Sequence, residues 1–106
     1  MELIRETKAN GVVVLSGDRH WCELSALTKG VPYPLYDLTA SSMTQIHKRG
    51  TPTPNVNRID PRTYHLPNVG TLEVKWADSD PQLTLQILDV EGKVQIDKTL
   101  RLSELR

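Results

Sequence analysis

A single cysteine, Cys22, stands among the 106 residues, so the chain can form no internal disulfide and no thiolate zinc cluster. A lone cysteine of this kind reads as a small buried side chain. No apolar run is long enough to span a bilayer, and the first residues lack the basic, apolar, small-residue order of a secretory signal. An excess of charge is missing too, because 13 Lys and Arg balance 13 Asp and Glu. With no net field, nucleic acid is not an expected partner and neither is an anionic membrane. Internal repeats and low-complexity tracts are absent. What remains is one domain or part of one, of a length at which folding buries roughly 60 to 70 per cent of the unfolded surface.

One stretch stands out against that background. Residues 12–16, Val-Val-Val-Leu-Ser, are apolar, β-branched or small and are bounded by Gly11 and Gly17, the pattern of a central strand covered on both faces. Asp18 and His20 follow directly. In extended backbone, side chains at i and i+2 point the same way, so the pair is expected to converge on one site at the carboxyl end of the strand, with Gly17 turning the backbone. A carboxylate and a neutral imidazole together suit zinc, manganese, iron or calcium. On spacing alone the same residues also make an ordinary polar turn, in which Asp18 bonds nearby amides and His20 is half-exposed. Arg19 either reaches a substrate phosphate or braces the turn against a carboxylate such as Glu23. Trp21 and Trp76 are expected in the core, with Trp21 placed to wall the site.

Along the rest of the chain, residues 1–9 read as the last turns of a helix ending at Asn10-Gly11. With no N-cap ahead of them they imply the end of something longer. Residues 22–27 alternate as a short strand, with Cys22, Leu24 and Ala26 on one side and Glu23 and Ser25 on the other. Gly30, Pro32 and Pro34 break the chain into a loop, and residues 35–39 resume as a strand. Ser41 is placed to cap a short helix through Ile46. Residues 47–67 carry four prolines and form one long loop. Three alternating strands follow at 70–76, 82–90 and 94–100, joined by turns at Asp78-Ser79-Asp80-Pro81 and Glu91-Gly92. The expected class is α+β, mostly β, ending in a three-stranded antiparallel meander.

Taken in order, Ser16-Gly17-Asp18-Arg19-His20 after an all-apolar strand, Glu23-Leu24, Tyr36-Asp37-Leu38-Thr39-Ala40-Ser41-Ser42 and Gly70-Thr71-Leu72-Glu73-Val74-Lys75-Trp76 resemble the C-terminal part of PhoD-like alkaline phosphatases. These belong to the calcineurin-like metallophosphoesterases. The resemblance runs from about Leu3 to about Asp97 and implies the C-terminal portion of an αββα sandwich. The implied activity of the complete enzyme is hydrolysis of phosphate mono- or diesters by metal-activated water.

The superfamily's last motif is usually Gly-His-x-His, whereas Gly17-Asp18-Arg19-His20 keeps the glycine and the final histidine with Asp at the first histidine, the form of the PhoD-like branch. The resemblance therefore implies that His20 binds metal, and that Asp18 either does so or orients an imidazole. Calcium, iron, manganese and zinc are the implied metals. Thr39, Ser41 and Ser42 follow a strand and are placed to line the same pocket, and Arg19, Ser41 and Thr39 are the candidate neighbours of a substrate phosphate. His47 and His65 lack ligand spacing and are expected to be exposed, and His47-Lys48-Arg49 reads as a solvated basic cluster. The superfamily's earlier Asp-x-His, Gly-Asp and Asn-His motifs do not occur in the eleven residues ahead of Val12, so the chain alone is expected to be inactive. Family members are often exported, through a signal these residues do not contain. The competing expectation is a non-catalytic, truncated β-rich module that binds a protein partner through exposed strand edges. Half a sandwich would leave an apolar face open, and self-association is expected from it.

Overall fold

Strands with an apolar residue at every second position have one face to bury, and they bury it against one another. The computed structural model describes residues 1–45, 53–76 and 79–106. Its strands form two three-stranded sheets. In the first, β1 (Val14–Ser16), β2 (Glu23–Leu27) and β3 (Leu35–Thr39) lie in the order β1-β3-β2, with β3 parallel to β1 and antiparallel to β2. The second is the expected meander of β4 (Asn68–Lys75), β5 (Gln82–Asp89) and β6 (Val94–Arg101), antiparallel throughout. Among the described residues, helix is confined to α1 (Glu2–Thr7) and a closing 3-10 turn at Leu102–Leu105. The protein is mostly β, as the alternation predicts.

The two sheets share one core. Leu24, Ala26, Tyr36 and Leu38 of the first sheet cluster with Leu83, Leu85, Ile87, Ile96 and Leu100 of the second, and Cys22 is buried among them as expected. At Gly70 the sheets come so close that a Cβ would lie 2.5 Å from the Ala40 Cβ. Only glycine admits that approach.

The other face of the first sheet is polar and still largely buried. Glu23 and Ser25 point there, and residues 53–64 cover them, with backbone bridges from Arg58 to Ser25 and from Tyr64 to Cys22. Arg58 donates to Glu23 Oε2 through Nε at 2.8 Å and Nη2 at 2.5 Å, while Asn55 Nδ2 donates to Glu23 Oε1 at 3.1 Å and Ser25 Oγ at 2.8 Å. The described part of the long loop is thus tied along the outer edge of β2. Proline content showed that it forms no helix or strand, not that it is loose.

The β5–β6 hairpin turns on Asp89, whose carboxylate accepts the backbone N–H groups of Glu91 and Lys93 and the Gln95 Nε2. These bonds, the Lys93 amide foremost, hold its carboxyl below the usual range. A depressed carboxylate stabilises the fold above its unfolded pKa, and the contribution is lost as pH falls through the folded value. Followed by NMR, the Lys93 amide is expected to hold its shift down to about pH 4 and move only below that. A transition centred above about pH 4 would contradict the bond.

Several local expectations are corrected. The run over 12–16 was expected to be a central strand, but only Val14–Ser16 pairs and it forms the edge of its sheet, with Leu15 60% exposed. An all-apolar run signals a need for cover, and cover comes from neighbours that the run does not specify. Trp76 lies just past the end of β4 and is 71% exposed, outside the core, whereas Trp21 is buried. Residues 41–45 are not helical, because the Ser41 hydroxyl that was to cap them accepts the His20 N–H instead. Ile46, the His47-Lys48-Arg49 cluster and Asp78 lie outside the described residues. His65 is half-buried, its ring centroid 5.9 Å from that of Trp21 and its Nε2 2.9 Å from Thr63 Oγ1.

Candidate functional site

Beyond Ser16 the backbone leaves the extended region. Asp18 and His20 both adopt left-handed conformations at φ 62°, so the i, i+2 argument for their convergence does not hold. A double reversal brings them together instead, and both line a cleft of about 250 Å³ with Ser41, Ser42, Met43, Thr44 and Gln45. Ser42 also has a positive φ, 112°. Of the described non-glycine residues with positive φ, only Lys8 at the end of α1 lies elsewhere. Such conformations persist where surrounding contacts over-determine them, and they gather at functional sites.

The contacts that hold them can be named. Ala40 N–H donates to the Ser16 carbonyl at 2.9 Å, joining the two strand ends, and His20 N–H donates to Ser41 Oγ at 3.1 Å. From the second sheet, Asn68 Nδ2 donates to the carbonyls of Ser41 at 2.9 Å and Leu66 at 2.7 Å, while its backbone N–H reaches the Ser42 carbonyl at 3.3 Å. Asn68 opens a strand, and nothing in its sequence position marked it as part of a site.

Cys22 lies behind this clamp, its Sγ 3.9 Å from the Ser41 carbonyl, and burial pushes the thiol up to about 11 from 9.0. Two units depress the thiolate fraction about a hundredfold at about pH 8. Alkylation of the folded chain is therefore expected to be slower than that of the denatured chain by at least about that factor. Equal rates would refute the burial.

The candidate phosphate neighbours separate. Ser41 lines the cleft. Thr39 does not, since its hydroxyl is buried on the polar face of the sheet, 2.9 Å from Ser16 Oγ, which also bonds Asp37 at 2.7 Å. Arg19 is braced, though not against Glu23: its guanidinium carbon lies 4.7 Å from the Trp21 ring centroid and its Nη2 donates to Thr53 Oγ1 at 2.7 Å. Glu23 is taken by Arg58, which sequence reasoning missed because the two are 35 residues apart.

Oxygen and imidazole donors suit a hard or borderline cation. Among the described residues no group of three or more His, Cys, Asp and Glu side chains gathers in one place. Asp18 and His20 are the titratable pair that lines this cleft, with no third such side chain beside them among the described residues. The chain matches no protein-family model, no curated protein and no solved structure. What the cleft can do has to follow from its own residues. No helix among the described residues is long and apolar enough to cross a membrane.

Proposed function

We propose that the chain is the C-terminal segment of a PhoD-like metallophosphatase domain and contributes one metal-binding turn to it. The observation that carries this reading is the strained turn after β1, which sets Asp18 and His20 in a single cleft. The two sheets around a common core are consistent with part of an αββα sandwich. So is the exposure of Leu15, since an all-apolar strand at a sheet edge fits one whose further neighbour belongs to the rest of the domain.

In this reading His20 offers an imidazole lone pair to the metal, and Asp18 either a second ligand or the acceptor that orients an imidazole. Ser41 fixes the His20 backbone and thereby the direction of the ring. A calcium, iron, manganese or zinc ion bound there would lower the pKa of a coordinated water and offset charge on the phosphoryl oxygens. The substrate class is a phosphate mono- or diester, and the remaining ligands come from other parts of the complete enzyme, so the chain alone is inactive.

Metal content and calorimetric titration near neutral pH, on the chain and on His20→Ala, test the reading. Outer partners of metal ligands already cost about 10–100-fold in affinity when removed, so loss of His20 is expected to cost at least about tenfold. Unchanged affinity in the variant would overturn the assignment, and no binding in either protein would show that the chain has no metal site of its own.

A second reading, a non-catalytic module that engages a protein partner, is favoured by one feature. Leu15, Val69 and Leu72 are exposed around a cleft of about 370 Å³ between β1 and β4, the edge strands of the two sheets. Open apolar edges invite pairing, so the isolated chain is expected to self-associate. Strictly monomeric sedimentation at high concentration would count against it.

A further inference from the structure

β4 is an edge strand of eight residues, and nothing in it blunts the edge. It contains no proline, and its register with β5 runs from Asn68 to Lys75 without a bulge; the irregularity of this sheet lies between β5 and β6. Past Asn68, no backbone hydrogen bond among the described residues reaches β4 outside the β5 ladder. Every second residue therefore turns an unpaired N–H and C=O outwards, a template for one more strand.

The side chains specify which strand fits. Leu72, Val74 and Trp76 share one face and line an apolar cleft of about 210 Å³ with Val13 and Leu102, and Leu72 and Trp76 remain 39% and 71% exposed. Glu73 and Lys75 stand on the other face, both exposed. Their neighbours across β5 are the neutral Thr84 and Gln82, and neither has an ion-pair partner among the described residues. Opposite residues 72–76 an incoming strand thus needs an apolar residue, a cation, an apolar residue, an anion and an apolar residue. Taken antiparallel, β4 and the residue after it supply that order themselves: Trp76, Lys75, Val74, Glu73, Leu72. Opposed side chains in a ladder share a face, so a two-fold axis normal to the sheet must pass between two copies of the same residue. With the axis at Glu73, carboxylate would face carboxylate; at Leu72, Glu73 would meet Thr71 and Lys75 would meet Val69. We propose that two copies of the chain join β4 to β4, antiparallel about a two-fold at Val74. Glu73 then meets Lys75 twice and Leu72 meets Trp76 twice, and the two three-stranded meanders become one six-stranded sheet. The proposal gives a register to the self-association expected of the open edges and is independent of the metallophosphatase reading.

Sedimentation of the whole chain at low ionic strength measures the dimer. Glu73→Lys and Lys75→Glu each set like charges opposite one another at two places, and each is expected to weaken association about tenfold. The double exchange, Glu73→Lys with Lys75→Glu, rebuilds both pairs and is expected to regain the affinity of the parent chain, which also shows that neither change harms the fold. Oxidation of Val74→Cys is expected to link two copies through a disulfide. Leu72→Cys is not, since its two copies lie roughly 13 Å apart along the strands in this register. A dimer that the single reversals leave unchanged, that the exchange fails to restore, or that links at residue 72 rather than 74 would overturn the register and leave association through another edge standing. A monomeric parent chain would mean that the β4 edge takes a different strand, and would overturn the proposal together with self-association.

Discussion

Leu85→Ala is expected to lower the unfolding free energy by about 2–5 kcal/mol. Leu85 lies at 0% exposure in the middle of β5, paired across the meander with Leu72 and Lys98. It belongs to the cluster in which the meander meets Leu24 and Leu38 of the first sheet. The truncation removes apolar burial and leaves a cavity that a sheet, held in register by its ladders, closes poorly. Domains of this size have about 5–15 kcal/mol in all, so the variant would lose a large share of its stability. Leu72→Ala, at 39% exposure, is the control and is expected to cost less than about 1 kcal/mol. Urea titration of both variants measures the difference. Equal small losses would mean that the two sheets do not share a core.

Arg58→Ala is expected to cost about 3 kcal/mol, near the lower end for breaking a buried ion pair. The side chains of Arg58 and Glu23 are 17% and 10% exposed, so removal of the arginine leaves a carboxylate that water reaches poorly. Asn55 alone is then left bonding it. Replacing both charged groups, as Glu23→Met with Arg58→Met, is expected to recover most of the loss. A double-mutant cycle with coupling below about 0.5 kcal/mol would show that the pair acts as a surface bridge. The consequence extends to the cleft. Arg58 Nη2 also donates to the Thr53 carbonyl at 2.9 Å, and Thr53 Oγ1 accepts from Arg19, which stacks on Trp21 beside His20. Loss of Arg58 is therefore expected to loosen Arg19 as well, visible as a change in Trp21 fluorescence.

Local pattern carried much of the architecture. Residues 35–39 and the three meander strands lie where alternation puts them, and Leu83, Leu85, Ile87, Ile96 and Leu100 are the residues that turn inward. The period of two settles which face is buried whatever lies opposite. Pattern failed where a residue's partner was remote. Ser41 has the chemistry of a helix cap, but His20 presented its N–H from another loop and took the hydroxyl. Trp76 has the size of a core residue but falls one position past its strand.

The cleft shows the same division. That Asp18 and His20 follow an apolar strand across a glycine is legible from residue order. Their approach was anticipated for a reason that proved wrong, since two left-handed residues, not extended backbone, bring them to one cleft. No spacing rule reports a positive φ at histidine or serine, because it is imposed by contacts from elsewhere.

By itself, then, the sequence determined the meander strands, the inward faces of β2, β5 and β6, the hairpin turn at Glu91-Gly92 and the placing of a carboxylate and an imidazole just past a strand end, since each depends on residues within a few positions of one another. Only the tertiary structure decided that β1 is an edge, that Arg58 rather than Arg19 meets Glu23, and that Asn68 clamps Ser41 and Ser42 against the His20 turn. Those contacts join residues more than 20 positions apart, and distance along the chain carries no record of them until the two sheets close on a common core.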